Sequence, residues 1–310
     1  MFARKLKFFW VRRWPTLLAL TLVFGASLLG PNVSGITLSA EELVTGGPVD
    51  ASEVKVVTPV YRPNPFSFRP QLGTYTYEAS WEGIPAAQMK IQVAQNGLYY
   101  SIVTSAQTYS GIDLLYKLRY RAEGIISSVD YQPLKTTIDH KENSRIKNVE
   151  INFSEDGLIY GKREQKGKDT TEFRFKTNNF TLDPFAAAFI ARGVDWKLGE
   201  THEFDTFNGK SRYLIQLTAV DKTTIRVNGS EREVWVISPV VKNLTDMAKS
   251  NKLRQAKIYV TADREREVLK LTSSVFIGSV ATKLISFEPD LISSQASAQL
   301  AALKGRVVLK

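Results

Sequence analysis

The chain has 310 residues, no cysteine, and 41 Lys and Arg against 31 Asp and Glu, a formal charge of +10. Without cysteine there are no disulfides, no thiolate catalysis and no cysteine-ligated metal. The charge is unevenly placed: residues 1–40 hold five basic residues and no acidic one, leaving 36 basic against 31 acidic, a mild +5. That remainder has no basic helix and no base-stacking motif, so nucleic acid is not an expected partner.

Arg4, Lys5, Lys7, Arg12 and Arg13 precede an uncharged apolar run, Thr16–Gly30, which Pro31 breaks. A charged start followed by a greasy stretch is the layout of a secretory signal. The run is shorter than the roughly twenty residues a spanning helix needs. A cleaved, Sec-type signal peptide over residues 1–35 is therefore expected, with no transmembrane segment after its removal. Val33-Ser34-Gly35 and Leu38-Ser39-Ala40 both offer small residues for cleavage, at 35 or at 40. The expected address is the periplasm or cell envelope of a bacterium. Residues 36–71 then read as a linker, rich in proline at Pro48, Pro63 and Pro65.

From Leu72 a two-residue period takes over. Tyr75, Tyr77, Ala79 and Trp81 alternate with polar residues, as do Ala87, Met89, Ile91 and Val93, then Tyr116, Leu118, Tyr120 and Ala122, then Val149, Ile151 and Phe153. Each segment reads as a strand with one wet and one buried face. Asn96-Gly97, Asp156-Gly157, Asn208-Gly209 and Asn228-Gly229 supply hairpin turns. Later strands are expected at Tyr213–Ala219, Val234–Val236, Ile258–Val260, Leu269–Leu271 and Val280–Phe287. The expectation is a mainly β domain over 72–289: a strongly curved antiparallel meander, half-barrel or barrel-like, with one helix packed on it.

That helix is Leu182–Gly193. Asp183 can cap it, Pro184 suits its first turn and Gly193 can end it. Phe185, Ala188, Phe189 and Arg192 would share a side, with the two phenylalanines buried against the sheet. Arg192 would reach to solvent or pair with a buried acid. Val241–Gln255 is polar and basic and reads as a long loop. Residues 290–310 read as a tail, with a weak helical candidate at Leu291–Leu303.

Catalytic signals are missing. His140 and His202 lie in different segments without a shared motif and read as solvated strand residues. Asp139 faces away from its neighbour His140, as adjacent strand residues do. No phosphate loop, nucleophile elbow or zinc motif occurs. No catalytic residue, metal or cofactor is expected, and the chain is not read as an enzyme. The aromatic positions Tyr75, Tyr77, Trp81, Tyr116 and Tyr120, with Phe185, Phe189 and Arg192, are either a packed core or the lining of an apolar cavity.

The segment Tyr77-Glu78-Ala79-Ser80-Trp81-Glu82-Gly83-Ile84-Pro85, with the strand through Val93, resembles the opening of the bacterial domain of unknown function 3108 family. The Asp183-Pro184 helix to Arg192, Gly199-Glu200, the Gly209-Lys210 turn, Tyr213–Ala219, Ile258–Asp263, Leu269–Phe276 and Gly278–Phe287 resemble the central and closing segments of that family. The resemblance implies an exported β-rich envelope protein and supplies no catalytic residues. The expected function is a binding module for an apolar or anionic envelope ligand, such as lipid or a lipoprotein acyl chain. The alternative is a structural or assembly factor that binds another envelope protein or polysaccharide machinery.

Overall fold

A computed structural model describes residues 68–245, 256–274 and 279–290. The expected signal, most of the linker, the tail and most of the basic loop lie outside those residues. The strands are β1 (Gly73–Trp81), β2 (Ile84–Asn96), β3 (Tyr99–Thr108), β4 (Leu118–Ser127), β5 (Pro133–Glu142), β6 (Arg145–Phe153), β7 (Leu158–Gln165), β8 (Thr171–Lys176), β9 (Thr201–Phe207), β10 (Arg212–Val227), β11 (Ser230–Asn243), β12 (Lys257–Thr261), β13 (Val268–Ser274) and β14 (Ser279–Pro289). A one-turn helix α1 (Ser110–Asp113) sits between β3 and β4, and α2 (Pro184–Gly193) between β8 and β9.

All fourteen strands form one antiparallel sheet in the order β8-β7-β6-β5-β4-β3-β2-β1-β14-β13-β12-β11-β10-β9. Every pair of strands adjacent in sequence is adjacent in the sheet except β8 and β9, which α2 separates, and β1 pairs with β14. Short hairpins produce this meander because the turn chemistry is local. Asn228 and Gly229 both take positive φ, 51° and 81°, as the two-residue turn between β10 and β11 requires.

The sheet is not closed by backbone hydrogen bonds, so β8 and β9 are its edges. Laid flat, those edges would stand about 60 Å apart at strand spacing. Yet the Phe207 ring of β9 lies 5.1 Å from Phe173 and 5.0 Å from Phe175 of β8. The sheet therefore bends back on itself, and phenylalanines bridge the seam. The free edge of β9 is partly covered: Leu182 donates its N–H to the Asp205 carbonyl and accepts from Phe207 N–H.

Two departures from the sequence reading are local. The expected Val241–Gln255 loop starts later, because Val241 and Lys242 continue β11 to Asn243. Opposite them lie Ile215 and Leu214 of the long strand β10, which extends the ladder. Tyr116 precedes β4 rather than standing in it, although it is buried as expected. The described fold also reaches back to Phe68, whose buried carbonyl accepts from the Tyr131 hydroxyl at 2.7 Å.

Candidate functional site

The sequence predicts a two-sided helix at α2, but all ten of its residues are buried. Alanine at 186, 187, 188 and 191 explains how: small side chains let neighbouring elements, β4 and β9 among them, pack close. The large side chains go where there is room. A Cβ on Gly124 of β4 would overlap the Phe185 ring. Phe189 packs on Tyr100 at 5.9 Å and Tyr131 at 6.3 Å. Asp183 caps the helix as expected, accepting from Ala186 N–H at 2.6 Å while its second oxygen accepts from Thr136 of β5. Complete burial pushes its carboxyl up to about 6, against those hydrogen bonds.

At the other end of α2, Arg192 is buried and pairs with no acid among the described residues, which corrects both expectations. Its Nε donates to the Arg266 carbonyl at 2.7 Å and an Nη to the Glu265 carbonyl at 3.1 Å. Its guanidinium lies over Phe68, Tyr75 and Phe189 at 5.3, 5.7 and 5.9 Å. The short β12–β13 turn offers carbonyls there, and a delocalised cation surrounded by rings can use them. Tyr77 adds to the same cluster, donating to the Val268 carbonyl at 3.0 Å. Of the eight sequence candidates, Tyr75, Tyr77, Phe189 and Arg192 thus form one packed cluster at the C-terminal end of α2, and Phe185 packs on β4.

Trp81, Tyr116 and Tyr120 are elsewhere. In a meander the β1–β2, β3–β4 and β5–β6 connections share one end of the sheet, and the β9–β10 turn lies at that end too. Trp81 closes β1 there, Tyr116 precedes β4 there and Tyr120 lies near its start. Tyr120 is paired with His140, which is paired with Lys147, which is paired with Gln165. Ile138 and Val149, two residues on, are buried core, so this row belongs to the inner face. Leu118, Glu142 and Arg145 form the next row, and Arg163 stands opposite Val149. The Asn208–Ser211 turn folds over these strands: a Cβ on Gly209 would overlap Val149.

This end is rich in charge that is half-buried. His140 is not solvated: its side chain is 15% exposed, its ring lies edge-on to Tyr120 at 5.9 Å, and burial with the nearby Lys147 lowers its pKa to about 4. Burial, reinforced by Lys210 and Arg163, brings the Lys147 ammonium down to about 8. Burial raises the Glu142 carboxyl above its ordinary value and lowers Arg163 below its own. His202 is also covered rather than solvated, with Trp196 edge-on at 5.2 Å. A separate buried pair, Asp205 with Arg212, ties β9 to β10 and is joined by Thr181 at 2.9 Å.

The inner face also carries Ala79, Ala87, Ala106 and Ala122, all buried; Ala106 pairs with Tyr120 and Ala122 with Ile138. Thr104 of β3 and Thr282 of β14 are fully buried, and their hydroxyls meet no hydrogen-bond partner among the described residues. No group of three His, Asp or Glu among the described residues is placed to hold a metal ion. No helix among them is long and apolar enough to cross a membrane.

The arrangement is that of a mainly β protein in which a meander sheet, open at one seam, is folded on a buried helix. The family described as "Protein of unknown function (DUF3108)" matches residues 76–285, and the chain belongs to that family. Among solved structures it is similar to a β-barrel-like protein of domain of unknown function DUF1849 from Brucella abortus. That match has 10% identity and a TM-score of 0.52, covering 72% of this chain and 99% of the other. A second, described as a "putative lipoprotein" from Parabacteroides distasonis, has 10% identity and covers 72% of this chain and 98% of the other. Its TM-score is 0.28. No curated protein matches the chain.

Proposed function

We propose that this is an exported envelope protein whose sheet wraps α2 as a strongly curved, barrel-like shell and binds an apolar envelope ligand inside it. The ligand would be a lipid or a lipoprotein acyl chain, and the role is binding rather than catalysis. Its carrying observation is the inner band of Ala79, Ala87, Ala106 and Ala122 beside two buried hydroxyls without partners. A filled core sets large side chains against small ones, and a buried orphan hydroxyl costs about 1–3 kcal/mol. An acyl ester lying along the band would set an apolar chain against the alanines and bring an acceptor to the hydroxyls. The basic-then-apolar start, read as an export signal, supports the reading, because an apolar chain needs shielding to cross an aqueous compartment. The packed Arg192 cluster is assigned to holding α2 in place.

The test is titration of the full chain with 1-N-phenylnaphthylamine, followed by displacement with palmitate. Binding should raise the dye's fluorescence and palmitate should reverse it. Ala106→Leu sharpens the outcome. In a filled interior it destabilises by about 1–3 kcal/mol. In a ligand slot it leaves the melting temperature unchanged and reduces dye binding. A dye that stays dark, or an overpacked and destabilised Ala106→Leu, would sink the proposal.

A further inference from the structure

The cations at the β5–β6 end are not accounted for by the fold. Arg145 and Lys147 of β6 and Arg163 of β7 lie on the inner face, by register with Glu142, His140 and Val149. None of the three forms an ion pair with a carboxylate among the described residues. Arg163 has only a long contact to the Thr171 hydroxyl, at 3.5 Å. Lys210 follows Gly209 in the β9–β10 turn, which abuts Val149, and its charge acts on Lys147. That turn is held in shape by Asn208, whose Oδ1 accepts from the N–H groups of Lys210 and Ser211 at 3.0 Å each. One acid shares the spot: Glu142 stands opposite Arg145 in the ladder, lies 3.8 Å from His140 and is largely covered.

Lys147 and Arg163 are half-buried, with Arg145 exposed at the rim. Partly desolvated cations repel one another and lose hydration, so a fold gains nothing by gathering them. Structural needs would favour leucine or methionine at positions 147 and 163, beside Ile138 and Val149. Both are long donors directed inward from neighbouring strands, and Tyr116 and Tyr120 border them with hydroxyls and ring faces. Such a group suits an oxyanion, which can accept several charge-assisted hydrogen bonds at once. The surrounding aromatic and aliphatic surface suits the first carbons of a chain attached to it.

We propose that Arg145, Lys147, Arg163 and Lys210 form a binding site for the oxyanion, phosphate or carboxylate, of an amphipathic ligand. The proposal rests on the ligand-binding reading above and adds the head-group chemistry to it. The apolar chain extends along the alanine band toward α2, and the anion stays at the β5–β6 end near solvent. His140, neutral at ordinary pH, serves as a hydrogen-bonding neighbour rather than a fifth cation.

Calorimetric titration of the full chain with three probes separates the possibilities: dodecyl phosphate, dodecyl maltoside and inorganic phosphate. Dodecyl phosphate should bind at least tenfold tighter than dodecyl maltoside, as loss of a charge-assisted pair implies. The double variant Lys147→Gln/Arg163→Gln should bring dodecyl phosphate down to the maltoside level and leave the maltoside unchanged. Lys147→Met controls for folding, since removing a half-buried unpaired charge should keep or raise the melting temperature. Equal affinity for the two amphiphiles, or an indifferent double variant, overturns the head-group site while leaving the apolar reading intact. If neither amphiphile binds but inorganic phosphate does, and the double variant abolishes it, the apolar reading fails and the oxyanion site stands. If no probe binds, both fail.

Discussion

At the scale of single residues, two buried groups set opposite pH dependences. Asp183 is neutralised more easily folded than unfolded, since its pKa rises from 3.8 to about 6. The stability it contributes is present below pH 4 and is lost as pH rises through 6. His140 falls from 6.5 to about 4, so its contribution is present above pH 6.5 and is lost as pH falls through 4. Between pH 4 and 6 the two slopes oppose each other. Urea midpoints at pH 7, 6, 5 and 4 should show Asp183→Asn losing stability on acidification more steeply than wild type. His140→Gln should do the reverse. Identical pH profiles for all three proteins would remove both assignments. Asp183→Ala, which also strips the cap and the Thr136 bond, should cost about 1–3 kcal/mol at any pH. The cap was legible because its signal is local: an acid, a proline and an apolar run. The partners of Arg192 were not, because the Glu265 and Arg266 carbonyls lie seventy-odd residues away and backbone carbonyls carry no residue signature.

At the scale of elements, strand positions were legible and facing was only partly so. Val149, Ile151 and Phe153 already show which face of β6 is buried. Counting back by two from Val149 puts Lys147 and Arg145 on that same inner face. Charge disguised them, since a lysine in a strand reads as its wet side. The burial of α2 on all sides was hidden for the opposite reason: alanine is compatible with either a surface or a crowded interior. The close approach of α2 to β4 makes a direct prediction. Gly124→Ala should force the Phe185 ring aside and cost about 1–3 kcal/mol. Phe185→Leu in the same chain should recover part of that loss in thermal melts. A fully tolerated Gly124→Ala would mean that the helix does not sit against β4.

At the scale of the whole molecule, sequential hairpins explain why a meander was readable from turns and alternation alone. The pairing of β1 with β14, and the meeting of β8 with β9 through Phe173, Phe175 and Phe207, depend on segments far apart in the chain. Nothing within either strand announces that contact. Charge also changes meaning with scale. Half of the formal +10 belongs to the first forty residues, while the domain's own mild excess includes a cluster that the fold gathers on one inner face. The resulting account is a sheet around a helix, sealed by Arg192 at one end and basic at the other, holding an amphipathic anion between them. Native mass spectrometry of the full chain purified from its host tests this most directly. The account predicts a non-covalent adduct that dissociates as an anion with a long alkyl or acyl chain and is depleted in Lys147→Gln/Arg163→Gln. A bare protein mass that stays bare after incubation with dodecyl phosphate would contradict it.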